Sequence, residues 1–262
     1  MSDERPPAVL SIAGSDSGGG AGIQADLKAF AAAGCHGMSA LVALTAQNTV
    51  AVTAVHELPD EFVVAQLDAV FGDIGVDAAK TGMLFSRRLI ETVAGFLADH
   101  PVPLVVDPVM VASSGARLLQ EDAVATYVER LFPLATVVTP NLAEAEALAG
   151  FRGPRRALAE RIVELGARAV VVTGGHGEET GDLLLDGEGE LLIPAARHPR
   201  RATHGSGCTH SATLAAGLAR GLPLRDAALA ATEAAAAAVA NGHEELGAGE
   251  GPVDVLAVKG AA

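Results

Sequence analysis

A chain of 262 residues, 50% of them apolar, holds enough hydrophobic surface for a sizeable core, which excludes a disordered polypeptide and leaves one large domain or two small ones. The formal net charge of −14 argues against nucleic acid or an anionic membrane as partner, since both need a basic face, but allows a phosphorylated ligand held by a helix terminus and a metal ion. The two cysteines, Cys35 and Cys208, make neither a metal-ligand spacing nor a disulfide framework, the polar stretch Met1 to Pro7 is no export signal, and no segment reaches the roughly 18 apolar residues of a membrane span, so a soluble cytoplasmic protein is expected.

Ala8 to Ala13 is an apolar run without alternation, as in a buried parallel strand. It ends in the glycine-rich Gly14 to Gly22, and a helix follows from about Ile23 to Ala33. Strand, glycine loop and helix in that order put the loop at the carboxyl edge of a sheet, where ligands bind in α/β folds. No Gly-Lys-Ser/Thr occurs, so the loop is not a P-loop, and a dinucleotide fingerprint lacks its ribose-binding acid because no Asp or Glu lies between Asp26 and Glu57. The loop therefore reads as a site for a small polar substrate.

Gly37 to Ala46 is a second strand, ending in Thr45-Ala46-Gln47-Asn48. An amide at a buried strand end can donate and accept at once, which suits the edge of a heteroaromatic ring, although on its own such an amide more often satisfies loop backbone. Val50 to Leu58 predicts a short strand, and Asp60 to Asp73 an amphipathic helix with Phe62, Val63, Leu67, Val70 and Phe71 at helical spacing. Val76 to Lys80 returns to the sheet and leads to Met83, which either lines a pocket or fills core. After a helix from about Ser86 to Asp99, the strand Leu104 to Val106 ends in Asp107. Beyond a helix near 121–132, Thr136 to Thr139 leads into Pro140-Asn141-Leu142-Ala143-Glu144. Asn141 and Glu144 have the spacing of a capping arrangement, and with Asp107 they also form an oxygen set for magnesium and its waters. A helix over 155–166, a strand into Thr173-Gly174-Gly175, a hairpin about Gly187-Glu188-Gly189 and a helix from Leu224 to about Asn241 complete the pattern. With no repeat, linker or break in composition, residues 1–262 read as a single domain, an α/β sandwich with a mostly parallel sheet.

The stretch that organises the rest is Thr203-His204-Gly205-Ser206-Gly207-Cys208-Thr209, followed by an Ala/Leu/Ser/Thr run of good helix propensity. Two glycines about a small hydroxyl residue deliver a helix N-terminus whose unpaired N–H groups make an anion site. There Cys208 is expected to have a lowered pKa and to serve as base or nucleophile; the plainer alternative is a small buried hydrophobe.

Four segments, Ala13 to Lys28, Ala43 to Thr49, Thr139 to Ala145 and Thr203 to Thr209, occur in collinear order and resemble the hydroxymethylpyrimidine/phosphomethylpyrimidine kinases of thiamine biosynthesis, within the ribokinase-like superfamily. The resemblance spans nearly the whole chain. It implies a three-layer α/β/α sandwich and an ATP- and Mg2+-dependent kinase that phosphorylates 4-amino-5-hydroxymethyl-2-methylpyrimidine and then its monophosphate. It also implies a homodimer. By motif, Gly205, Ser206, Gly207 and Cys208 become the anion hole and catalytic base; Gly14, Ala21, Asp26, Thr45, Gln47 and Met83 the pyrimidine pocket; Asn141, Thr173, Gly174 and Gly175 the nucleotide side; and Glu144 and Asp107 the metal group. The chain departs from the family in having no lysine around Ala230 to Ala235, Gly247-Ala248-Gly249 for Gly-His-Gly, and Ala202 where Asn is common. A pyridoxal or pyridoxine kinase is the alternative within the same chemistry, and a catalytically idle vitamin-binding regulator the alternative outside it.

Overall fold

The computed structural model describes residues 5–112, 115–116, 118–120, 123–174, 181–196 and 198–258. Its strands are β1 (Ala8–Asp16), β2 (His36–Gln47), β3 (Val52–Glu57), β4 (Ala78–Thr81), β5 (Leu104–Val106), β6 (Val137–Val138), β7 (Val170–Val172), β8 (Asp182–Asp186) and β9 (Gly189–Ile193). They form one sheet in the order β3-β2-β1-β4-β5-β6-β7-β8-β9. The six from β2 to β7 are mutually parallel, while β3, β8 and β9 pair antiparallel at the two margins.

Successive strand residues face opposite sides of the sheet, and both sides are covered, which is why these strands read as unbroken apolar runs. Leu10, Ile12, Leu104 and Val106 join one core with α2 (Asp60–Ala69), α3 (Arg87–Asp99), α4 (Ala123–Thr126), α5 (Leu142–Ala149) and α6 (Arg155–Glu164). Val9, Val105 and Val171 join the other, with α1 (Gly22–Ala32), α7 (Ser206–Ala219) and α8 (Leu224–Ala240). The result is a three-layer α/β/α sandwich.

Two predicted helices differ in detail. The segment expected as one helix over 60–73 is α2 followed by a wide π turn, Val70–Ile74, closed by Gly75 at φ +80°, and Phe62 is 55% exposed instead of packed. The helix expected near 121–132 is the short α4, then a π turn at Tyr127–Leu131 and a 3-10 turn at Phe132–Leu134; this brings the fully buried Tyr127 hydroxyl to donate to the Gly82 carbonyl at 3.0 Å. Strand order reverses beside β1, whose neighbours are β2 and β4, so the carboxyl ends of these strands open a crevice at the topological switch point.

Candidate active site

A cavity of about 1100 Å³ occupies that crevice and continues along the carboxyl edge to β7. Its floor is built from strand ends: Gly14, Ser15 and Asp16 of the β1 end, Thr45 and Gln47 of β2, Lys80 of β4, Asp107 after β5, and Thr173 and Gly174 after β7. The N-termini of α5 and α7 point into it from opposite sides with Asn141, Glu144 and Gly205 to Cys208.

Gly205 is the N-cap of α7 in the left-handed region, φ +86°, with no side chain to cap the first-turn amides. A Cβ there would overlap the Gly20 carbonyl oxygen, so glycine is required both by the torsion and by the close approach of the β1–α1 loop. The uncapped turn carries the positive end of a 14-residue helix. Cys208, two residues into that helix, is partly buried. The lowered pKa expected from the helix terminus is not what the surroundings produce. Burial pushes the thiol up to about 12, Asp26 and Asp107 add to the rise, and Lys80 with the Gly22 amide draws it down by less.

Gly14, Ala21, Thr45, Gln47 and Met83 all line the cleft. Met83 lies over Gly14, where any Cβ would meet its methyl group. Asp26 is placed otherwise. It is fully buried on the inner face of α1, accepts from Ser11 Oγ at 2.5 Å and from Lys80 Nζ at 2.8 Å, and does not reach the cavity. Its service is to Lys80, whose ammonium also stands 3.6 Å from Asp107 Oδ2. Burial alone would strip that proton, but the acidic neighbours outweigh it and keep Lys80 charged. A buried charge persists only with such partners.

On the facing wall the capping box of α5 is complete: Asn141 Oδ1 accepts from the Glu144 amide at 3.0 Å, and Glu144 Oε2 accepts from the Asn141 amide at 2.9 Å. The capping role therefore stands, yet both residues also line the cleft. Asp107 Oδ2 accepts from Ser211 Oγ at 2.8 Å. Burial first and Asp107 second push the Glu144 carboxyl up to about 8. Among the described residues no three or more His, Cys, Asp or Glu side chains gather to cage a metal ion. The Glu144 and Asp107 carboxylates are oxygen donors of the kind that could hold a hydrated magnesium ion, which keeps waters and substrate phosphates as its other ligands. Gly174 donates its amide to Asp182 Oδ1 at 2.9 Å and has no space for a Cβ beside the Gly181 carbonyl. Gly175 lies outside the described residues.

Three features of the cleft were not singled out in the sequence. Lys80 had a visible signal, a lysine closing a strand whose two faces are both covered. Asp16 paired with His204, and Asp182 paired with Thr232 at 2.6 Å, had none, because each joins residues far apart in the chain. Where the family often has a late-helix lysine, α8 turns Ala235, Ala236 and Val239 to the cleft.

A family model described as phosphomethylpyrimidine kinase matches residues 16–254. A hydroxymethylpyrimidine/phosphomethylpyrimidine kinase of Rhizobium meliloti (strain 1021) is 52% identical over 253 residues, covering 94% of this chain and 95% of the relative. An ADP complex of Bacillus subtilis pyridoxal kinase superposes with a TM-score of 0.89 at 38% identity, covering 97% of this chain and 98% of the other. A phosphomethylpyrimidine kinase from Clostridium difficile 630 does so with a TM-score of 0.76 at 38% identity, covering 86% and 96%.

Proposed function

The chain belongs to the phosphomethylpyrimidine kinase family, and from that premise we propose how its cleft phosphorylates a pyrimidine alcohol. The enzyme is a hydroxymethylpyrimidine/phosphomethylpyrimidine kinase of thiamine biosynthesis and uses ATP. In our reading the whole chain is one kinase domain, since a single sheet runs from Ala8 to Ile193 and α7 and α8 pack on it. The observation that carries the mechanism is that Gln47 and the Gly205 to Cys208 turn line one cavity, with Asn141, Thr173 and Gly174 further along it.

Gln47, Thr45, Ala21, Gly14 and Met83 hold the ring, while Ala235, Ala236 and Val239 offer an apolar wall to a nucleotide base. Phosphoryl transfer asks the protein chiefly to align the oxygens and stabilise charge on the group in flight. The first-turn amides of α7 are placed for the oxygens of the transferred group. Glu144 and Asp107 would hold a magnesium ion, which would supply neutralising charge for the ATP phosphates. Cys208 takes the hydroxyl proton as the alcohol oxygen attacks. Burial raises the thiol, so Cys208 must first give up its own proton to solvent; the fixed ammonium of Lys80 favours the resulting thiolate, which is the form that accepts the hydroxyl proton. The same reading includes a homodimer, for which the exposed Leu44 and Val50 about the β2–β3 turn supply apolar surface.

The test is ADP formation from ATP and magnesium on adding the aminopyrimidine alcohol, its monophosphate, or pyridoxal. Turnover with the first two and a higher kcat/KM than for pyridoxal is expected. The structural likeness to a pyridoxal kinase favours pyridoxal as a second substrate, and equal or better use of it would make that the primary function.

A further inference from the structure

The Gln47 carboxamide can sit two ways that fill the same space and differ by exchange of oxygen and nitrogen. Its backbone is held by Ser17, which donates Oγ–H to the Gln47 carbonyl and accepts from its amide, both at 2.8 Å. The side chain lies between Thr45 Oγ1 at 3.2 Å and His204 Nε2 at 3.5 Å, and these neighbours decide its sense.

Asp16 is 3% exposed and accepts from the amides of Gly18, Gly20 and Ala21 at 2.7, 3.1 and 2.9 Å. Burial alone would raise its carboxyl, but His204 and the Gly18 and Ala21 amides outweigh burial and hold it below the usual carboxylate range. It is an acceptor only, so His204 Nε2, 2.9 Å away, carries the proton. With Nε2 of Gln47 facing His204 and Oε1 facing Thr45, two N–H donors oppose each other. The single Thr45 proton must then also serve both Gln47 and the Ser15 carbonyl at 2.9 Å. Exchanging the two ends removes the opposed donors and frees Thr45 to donate to Ser15 and accept from the Gln47 nitrogen, while the Gln47 oxygen, 3.5 Å from His204 Nε2, shares as a longer second acceptor the N–H that Asp16 accepts at 2.9 Å.

We propose that His204 is a specificity-positioning residue that turns the Gln47 oxygen toward the Gly205 turn and its nitrogen toward Thr45, and so sets the direction in which an aminopyrimidine ring lies. The proposal rests on Gln47 reading the ring. Around that ring the order is nitrogen, amino-bearing carbon, hydroxymethyl-bearing carbon. The Gln47 N–H meets the ring nitrogen and its oxygen meets the amine, so the hydroxymethyl group falls beyond the amine, on the side of His204, Gly205 and Cys208. Reversed, the amide would turn the reacting group away from the α7 turn. His204 is packed to hold this sense: it is 8% exposed, and a Cβ on Gly20 would strike its ring.

The experiment compares kcat/KM for the aminopyrimidine alcohol and for its analogue lacking the amine, in wild type, His204→Leu, His204→Gln, Gln47→Leu and the Gln47→Leu/His204→Leu double variant. His204→Leu is expected to cost roughly 10- to 100-fold on the amine-bearing substrate and under about threefold on the analogue. His204→Gln, whose amide nitrogen reaches the Nε2 position, should retain most of the preference, and His204→Leu should add little in the Gln47→Leu background. If His204→Leu does not fold, judged by circular dichroism and Tm, His204→Asn replaces it, since its amide stops short of Asp16 and Gln47. Equal losses on both substrates, or an undiminished His204 effect without Gln47, would overturn the proposal by assigning His204 to the shape of the Gly205 turn. A Gln47→Leu variant with unchanged preference would instead remove Gln47 as the reader of the ring, and the proposal with it.

Discussion

Cys208 shows how one position answers to two opposed effects. The amides and dipole at a helix terminus stabilise a thiolate, but removing the sulfur from water and setting it near Asp26 and Asp107 destabilises it by more. A base of this kind works only when the reacting oxygen is brought against it, so its loss should strike turnover more than ligand affinity. Cys208→Ala is expected to lower kcat by roughly 10²- to 10⁴-fold, the usual worth of a positioned general base, with ADP affinity nearly unchanged. Calorimetric titration of ADP beside steady-state rates makes the comparison. A variant turning over within a few-fold of wild type would take the thiol out of the proton transfer.

At the scale of the element, α5 carries two functions on one residue, and they can be separated. Glu144 closes the capping box through its backbone-facing oxygen while the same carboxylate lines the cleft beside Asp107. Glutamine serves equally well at the third position of a capping box. Glu144→Gln should therefore keep Tm near wild type, yet raise the magnesium concentration for half-maximal rate by several-fold. An unchanged magnesium curve would leave Glu144 with capping alone. By contrast Asn141→Ala removes an N-cap and is expected to cost about 1 kcal/mol of stability, as such caps typically do. The entrance of α7 works on different means, a left-handed glycine instead of a capping side chain, because a side chain there would fill the space the α1 loop needs.

At the scale of the molecule, no helix of the described residues is long and apolar enough to cross a membrane, and exposed apolar side chains such as Leu44 and Val50 flank the tip of the β2–β3 hairpin. Sedimentation equilibrium should return twice the 26.3 kDa chain mass, and Val50→Asp should shift the protein toward monomer; a wild type sedimenting at 26.3 kDa would refute the dimer. The α/β class, the strand positions and the helix-opening glycine turn were legible in the sequence because they depend on neighbours along the chain: unbroken apolar runs mark strands covered on both faces, and Gly205 to Cys208 followed by a helix-forming run marks a terminus. Resemblance in four motifs supplied the chemistry that periodicity does not. What only the tertiary structure decided is which groups meet. Asp26 looked like a pocket residue from its motif, but the pairing of β4 beside β1 brings Lys80 onto it and leaves it beneath the floor. The Cys208 thiol looked acidic from its helix position, but burial is a property of the assembled cleft. His204 and Asp16 are 188 positions apart, and Asp182 and Thr232 are 50 apart. No local pattern records such pairs, because a buried charge is stabilised by whatever donor the fold delivers to it, and that delivery is set by strand order and helix packing.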